Sequence, residues 1–507
     1  MRYLLGLDIG TTNIKSIVIA EDGKVVAYAS KPTPIEHPRR EWSEFAPDKI
    51  WNAVCSCILE IGKQCDLSLV VSIGISSMAE TGIPVDDLGN PLYNFIAWYD
   101  FRAERQAAEQ IDRIGMHRLY AITGQIPSAK YGITKLKWLL DEVDGIRAGI
   151  AHWLSMEDYI IYKLTGCIAT DYSIASRTMA FDINAIDWSD EILCAVGLCK
   201  EIFPKALPGG TCVSTITGAN AQMLHLPINC AVCTGGHDHA CAAIAVGVTS
   251  GDVLLDSMGT AESSMIAVAH PQMGEYSFAK KYSFYPHCGA RLYRVLSSIQ
   301  CCGAAIEWYL KAMGNDIVRE SAKKGISKYD EMVSRIPKNK RSAEGLLFVP
   351  LLRGTVEQKG VHGQFWGIRD DHFEGDFIAA LYEGICNEYR YQTEGLSELC
   401  GGKAFSVRAV GGLSQSRELM QVKANVHGER VIVPVNREAA VTGAALLGGV
   451  GQGCLQLEGL SDMRGERLEF MPEKENAGYQ QKKYELYRSV RNTSIQLYKE
   501  LSSDSIA

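Results

Sequence analysis

The chain has 507 residues, 47% hydrophobic and 22% charged, with a net charge of −8. That length allows two to four domains with sizeable cores, and the acidic balance argues against a polyanionic partner such as nucleic acid, which usually meets a basic face. No apolar run is long enough to span a bilayer, and Met1-Arg-Tyr-Leu-Leu-Gly-Leu-Asp8 reaches a carboxylate too early for a secretory signal, so a cytoplasmic protein without a membrane partner is expected.

The first 30 residues predict a three-stranded meander. Leu4–Ile9, Ile14–Ile19 and Lys24–Tyr28 are apolar or β-branched runs, separated by turn signals at Gly10-Thr-Thr-Asn13 and Glu21-Asp-Gly23. A helix follows over Pro47–Ile61, with Ile50, Val54, Ile58 and Ile61 spaced by three and four. Cys230-Ala-Val-Cys233 lacks a second ligand pair at zinc spacing and reads as buried strand thiols. Most of the sixteen cysteines are expected to be reduced core residues.

Near residue 252 the opening order returns. Asp252–Asp256, the turn Ser257-Met-Gly259-Thr260 and Ser263–Val268 again give strand, acid, Gly-Thr turn and strand. Two related domains are therefore expected, 1–248 and 249–507. Later helices are predicted over Phe377–Leu399, over the small-residue stretch Thr442–Leu447, which must pack closely, and over Tyr479–Leu501 on the outside.

Four stretches carry candidate chemistry. In Asp8-Ile-Gly10-Thr11-Thr12, a turn between strands aims N–H groups and hydroxyls at one spot, which suits phosphate oxygens. Asp8 at the strand end can hold Mg²⁺ through water. No GxxxxGK[ST] P-loop is present; a plain hairpin is the alternative. Thr234-Gly-Gly-His237-Asp238-His239 follows an apolar run and offers a carboxylate that can accept a proton from an attacking hydroxyl. On one extended segment His237 and Asp238 would point to opposite faces, which disfavours a transition-metal site. Gly411-Gly412-Leu-Ser-Gln-Ser416 leads into a helix and allows close backbone approach to a ring or phosphate. Finally, Ser76 to Gly82 with Trp98-Tyr-Asp100-Phe-Arg102 mixes acids, hydroxyls, an indole and a guanidinium, the mixture that binds polyols. An exposed acidic turn beside a surface Trp-Asp-Arg is the alternative there.

These motifs converge. From about residue 3 to 450 the chain resembles the FGGY carbohydrate kinases. The resemblance rests on Leu7-Asp8-Ile-Gly-Thr-Thr, Ile73–Ser76, Ile96–Arg102, Glu157–Gly166, Thr170–Thr178, Gly235–Asp238, Ser257–Thr260, Gly345–Pro350 and Gly411–Ala440. It implies an α/β, actin-like ATPase fold of two related, ribonuclease H-like domains with a cleft between them. It also implies an ATP- and Mg²⁺-dependent sugar kinase, with ATP mainly on the C-terminal half and sugar mainly on the N-terminal half. Asp238 is then the catalytic base, and Asp8 and Asp238 face the metal. Glu80, Thr81, Trp98, Asp100, Arg102 and His237 are the expected sugar contacts. Gly10, Thr11, Thr12, Lys15, Gly259, Thr260, Gly303, Gly411, Gly412 and Ser416 are the expected nucleotide contacts. The partner expected is a small sugar or polyol, a ketose such as xylulose first, with a homodimer left open. A polyol or aldonate kinase is the alternative, and a non-sugar actin-fold ATPase the remoter one. Two departures stand out. Lys130 and Gly132 do not fit the family's first signature, although Lys135–Glu142 does. At the specificity turn, Ala79-Glu80-Thr81 replaces the Met-His of xylulokinases and gluconokinases; it is closer to the Arg-Glu-Thr of glycerol kinases but lacks the Arg.

Overall fold

The structure is a computed structural model that describes residues 2–289, 292–337, 344–355, 360–402, 405–462 and 466–503. The predicted meander forms as β1 (Tyr3–Ile9), β2 (Asn13–Ala20) and β3 (Val25–Pro32), all antiparallel. The apolar run Val70–Ser77 (β4) adds parallel to β1, and Ala231–His237 (β6) adds parallel to β4. The short strand Cys212–Thr215 (β5) closes the edge antiparallel to β6, so the spatial order is β5-β6-β4-β1-β2-β3.

A second sheet repeats this plan. Val253–Met258 (β7), Glu262–Val268 (β8) and Tyr293–Ile299 (β10) form the meander, with Ser283–Pro286 (β9) beyond it. Ser406–Val410 (β11) and Val431–Pro434 (β12) add in parallel, and Arg467–Phe470 (β13) adds antiparallel at the edge. The same succession of three antiparallel and two parallel strands explains why the strand–acid–Gly-Thr signal occurs twice in the sequence.

Helix α1 (Pro47–Ile61) covers one face of the first sheet with Ile50, Val54 and Ile58 against Leu5 and Leu7. The other face is covered from both halves of the chain. Helix α2 (Asp238–Ala245) supplies Ala240 and Ile244, and helix α4 (Ala439–Gly451) supplies Val441, Ala444 and Leu447, all against Leu4, Ile17 and Ile19. In sequence between these two comes the long, mostly buried helix α3 (Glu374–Leu399), which packs in the second half. The α4 backbone lies directly on the sheet: a Cβ at Gly6 would stand 2.1 Å from the Val441 carbonyl, and one at Gly74 only 1.8 Å from that of Ala444. No side chain fits such spacing, which is why these strand positions are glycines. The C-terminal helix α5 (Ala477–Ser503) lies against α3, where Arg491 pairs with buried Glu388.

Cys230 and Cys233 are buried, and all sixteen cysteines are free thiols. Among the described residues no helix is long and apolar enough to cross a membrane.

Candidate active site

Asp8 lies at the end of β1, in register with Lys15 on β2 and Ser76 on β4. It is buried and accepts a hydrogen bond from Ser76 Oγ at 3.0 Å. Burial, followed by the charge of Asp238, pushes its carboxyl up to about 7. The Gly10-Thr11-Thr12 turn is closed by Gly10 N–H to the Asn13 carbonyl at 3.1 Å and braced by Thr33, whose hydroxyl donates to the Gly10 carbonyl at 2.6 Å. Thr12 is exposed. The Thr11 hydroxyl accepts from the indole N–H of Trp98 at 2.9 Å, so the phosphate hairpin touches the sugar stretch directly. Lys15 is ion-paired at 2.6 Å with Glu438, the residue before α4, which ties the first hairpin to the second half.

The His237-Asp238-His239 segment is not extended throughout. Strand β6 ends at His237 and α2 begins at Asp238. The helix N-terminus favours an ionised carboxylate there. His237 Nε2 lies 3.0 Å from Asp238 Oδ1, and the His239 amide donates to the same oxygen at 2.6 Å. Burial alone would raise Asp238, but His237 and His239 overturn that and hold it below the usual carboxylate range. Burial keeps His237 neutral, at about 3. The strand-to-helix junction thus presents one ionised and partly exposed carboxylate beside the more protonatable Asp8.

The specificity turn is held from three sides. Glu80 adopts φ = 57°, a left-handed conformation that costs a non-glycine residue about 1–3 kcal/mol. Its carbonyl accepts from the buried Lys135 Nζ at 2.9 Å, and the same nitrogen donates to the Ala97 carbonyl at 2.7 Å. Its carboxylate pairs with Arg177, which also donates to Gln125 and to the Tyr285 hydroxyl. Arg177 therefore brings a guanidinium to Glu80 from an element 97 residues away, in a turn whose own sequence lacks the arginine. Thr81 is buried, and its hydroxyl has no partner among the described residues.

Trp98 is 39% exposed, whereas Asp100 and Arg102 are buried against each other. Arg102 grips Asp100 through two bonds of 2.9 and 2.6 Å, reaches Glu44 at 2.7 Å, and stacks 3.8 Å from the Trp42 ring. Asp100 also accepts the Ser43 amide at 2.8 Å. This cluster anchors the turn that carries Trp98 and faces protein on the sides described.

In the second half, a cavity of about 920 Å³ is lined, among the described residues, by residues between Met258 and Arg437. Gly259, Thr260, Gly303, Gly412 and Ser416 line it, with Trp308, Tyr329 and Leu413 as apolar or aromatic walls. The helix Gly303–Ala312 starts on the second hairpin: the Gly303 amide bonds the Gly259 carbonyl at 3.0 Å. The paired glycines divide their work. Gly411, at φ = 93°, backs onto strand β7, where a Cβ would stand 2.5 Å from the Met258 carbonyl; a Cβ on Gly412 would meet open space. Gly10, Thr11, Thr12 and Lys15 stand apart from this cavity, on the first hairpin. The acid of the second hairpin, Asp256, is closed off. With Glu262 it is buried around the Lys423 ammonium, all three with no exposed side-chain surface.

The sequence does not single out Arg177, Lys135 or Tyr285 as site residues: the first two lie within the motifs Thr170–Thr178 and Lys135–Glu142, but nothing local marks them as neighbours of Glu80.

Comparison with known proteins gives these features a context. The pattern of the FGGY family of carbohydrate kinases, N-terminal domain, matches residues 3–245, and that of the C-terminal domain matches residues 254–451. The chain is 27% identical over 505 residues to a xylulose kinase of Lactococcus lactis, with 97% of each chain covered. It is 30% identical over 463 residues to a glycerol kinase of Thermococcus gammatolerans, with 89% of each covered. Among solved structures, xylulose kinase from Rhodospirillum rubrum superposes with a TM-score of 0.87 at 23% identity, over 98% of this chain and 100% of that one. Plasmodium falciparum glycerol kinase with ADP gives 0.84 at 19% identity, over 97% and 98%. The shared architecture is the actin-like ATPase fold. With both family patterns matched along most of its length, the chain belongs to the FGGY family of carbohydrate kinases, phosphotransferases that act on an alcohol group.

Proposed function

We propose that this kinase transfers the γ-phosphoryl group of ATP to a hydroxyl of a small ketose such as xylulose, with Asp238 as the general base. The observation that carries the reading is the junction at Asp238: an ionised, partly exposed carboxylate at a helix N-terminus, electrostatically coupled to Asp8 at the foot of the Gly-Thr-Thr hairpin. Asp238 accepts the proton as the hydroxyl oxygen attacks phosphorus in line. Glu80, Thr81, His237 and Trp98 orient the sugar, with Thr81 Oγ1 and His237 Nδ1 as buried polar atoms that lack partners among the described residues. Asp100 and Arg102 support the sugar turn from behind. The two hairpins receive phosphate oxygens, and the cavity above the second takes the adenosine. The oxygen donors of Asp8 and Asp238 fit Mg²⁺, since two coupled carboxylates are relieved by a hard cation. Among the described residues no cluster of three or more His, Cys, Asp or Glu groups offers a fuller protein cage. When bound, Mg²⁺ would neutralise charge on the phosphates. Closure of the two halves would keep water from the reacting atoms.

A polyol or aldonate acceptor is the second reading, favoured by the Glu80-Thr81 turn with Arg177 beside it and by the similarity to a glycerol kinase. ADP release measured against a panel of pentuloses, hexuloses, aldonates and polyols separates the two. The ketose reading fails if no ketose is turned over faster than the polyols and aldonates.

Two variants test the binding assignments. Glu80→Gln keeps the turn's shape but loses charge-assisted bonds worth roughly 1.5–3 kcal/mol each. The sugar KM should rise about tenfold or more, and the KM for ATP should hold. An unchanged sugar KM removes Glu80 from the site. Gly412→Val places a branched side chain into the cavity, and overfilling a packed contact costs about 1–3 kcal/mol. Calorimetry should find ATP bound roughly tenfold more weakly, with sugar binding unaffected; native ATP affinity in the folded variant places adenosine elsewhere.

A further inference from the structure

The segments Glu157–Gly166 and Thr170–Thr178 are among the densest motifs in the sequence, yet apart from Arg177 the site described above makes no use of them. Their side chains converge on the strand that leads to Asp238. Strand β6 slips register against β4 between Thr234 and Gly236: Thr234 pairs with Ile75 and Gly236 with Ser76. Gly235 is therefore the extra residue of a bulge, whose amide the ladder leaves unpaired. Glu157, wholly buried, supplies the missing acceptor: the Gly235 N–H donates to its Oε1 at 2.8 Å. Two residues on, the His237 N–H donates to Ser173 Oγ at 2.9 Å. Ser173 is itself fixed, because its hydroxyl donates to Asp171 Oδ1 at 2.8 Å and its amide to Asp171 Oδ2 at 2.8 Å. The Ile174 amide completes the hold on Asp171, also at 2.8 Å.

Between the two pinned amides stands Gly236 at φ = 134°, a backbone that L side chains rarely adopt. A Cβ there would lie 2.5 Å from Ser173 Oγ and 2.5 Å from Cys288 Sγ. The last residues before Asp238 are thus not held by the sheet ladder alone. They are also held by two acceptors that reach in from other elements.

We propose that Glu157 and Ser173 are positioning residues for phosphoryl transfer, pinning the bulged strand end so that the Asp238 carboxylate stands where the acceptor hydroxyl arrives. The proposal rests on Asp238 being the base. What the bulge requires is an acceptor oxygen rather than a charge. Burial, then the nearby Asp171 and Asp158, push the Glu157 carboxyl well above the usual range.

The test is steady-state kinetics on the full chain, with melting temperature as the folding control. Ser173→Ala changes little volume but frees the His237 amide; Glu157→Leu frees that of Gly235. Each should lower kcat about tenfold or more, because small misplacement of a reacting group is costly. Both KM values should stay within about twofold, the pattern of a contact that matters only in the transition state. Glu157→Gln, which keeps an acceptor oxygen, should recover most of the turnover that Glu157→Leu loses. Adding Ser173→Ala to Asp238→Asn should cost no more than about threefold further, since residues acting as one unit are non-additive. Unchanged kcat in a folded Ser173→Ala overturns the proposal. So does a full multiplicative loss in the double variant, which would mean the clamp acts apart from Asp238. Glu157→Gln falling as far as Glu157→Leu overturns the role given to Glu157. Failure of the base assignment itself shows separately, as high activity in Asp238→Asn alone.

Discussion

Asp238→Asn is expected to fold, bind sugar and bind ATP, yet lose phosphoryl transfer by at least about a hundredfold, the lower end of what removing a general base costs. The amide keeps the shape of the carboxylate and can still meet the His239 amide and the His237 ring, which hold the side chain at 2.6 and 3.0 Å. What it lacks is a site for the proton. The charge of Asp238 is also among the forces that push Asp8 upward, so some change in Mg²⁺ dependence is compatible with the assignment. The decisive measurement is turnover at saturating ATP, sugar and Mg²⁺. A well-folded variant that keeps more than about a tenth of wild-type turnover is inconsistent with general-base loss of this size, and the base is then another group.

Lys423→Met should have the largest effect on stability. The ammonium sits between Asp256 and Glu262 with no exposed surface on any of the three side chains, and Tyr389 lies 3.6 Å away as a cation–π partner. Burial alone would lower Lys423, but the two carboxylates hold it firmly protonated. Burial and Glu262 push Asp256 well up. Taking away one member of a buried ionic group costs about 3–5 kcal/mol, because the remaining charges are stranded. The loss should depend on pH in a definite direction. A carboxyl raised in the folded state binds its proton more tightly there than in the unfolded chain, so acid favours the fold. The variant's melting temperature should therefore recover partly between pH 8 and pH 5. A variant as stable as the wild type, or one more stable at pH 8 than at pH 5, contradicts this account of the triad.

How far the sequence could be read follows the distance over which each feature is determined. The meanders, helix α1 and the small-residue helix α4 are local patterns of apolar spacing and turn residues, and each forms where its pattern lies. The twofold plan was visible because both hairpins carry an acid before Gly-Thr. What separates the hairpins was not visible: Asp256 pairs with Lys423, 167 residues away, while Asp8 accepts a hydrogen bond from a serine hydroxyl in its own sheet. Asp100 and Arg102 have the residue types of a polyol site. Whether such a pair faces a ligand or a neighbour depends on Glu44 and Trp42, which arrive from another segment. Likewise the sequence around Glu80 shows a missing arginine, and only the fold brings Arg177 to it. The His237-Asp238-His239 segment reads as extended, but the strand stops at His237 and helix α2 takes over at Asp238.

The seating of α4 on the first sheet has a consequence for synthesis. The six strands of that sheet are complete at His237, but the helix that lies on the backbones of Gly6 and Gly74 begins roughly two hundred residues later. At translation rates of about 5–20 residues per second, the interval is about 10–40 s. Throughout it, Leu4, Ile17 and Ile19 have α2 from their own half as cover but lack α4. The emerging first half cannot finish folding before the second is made, and for that interval a nascent chain presents an apolar sheet face to the ribosome surface and to any chaperone waiting there.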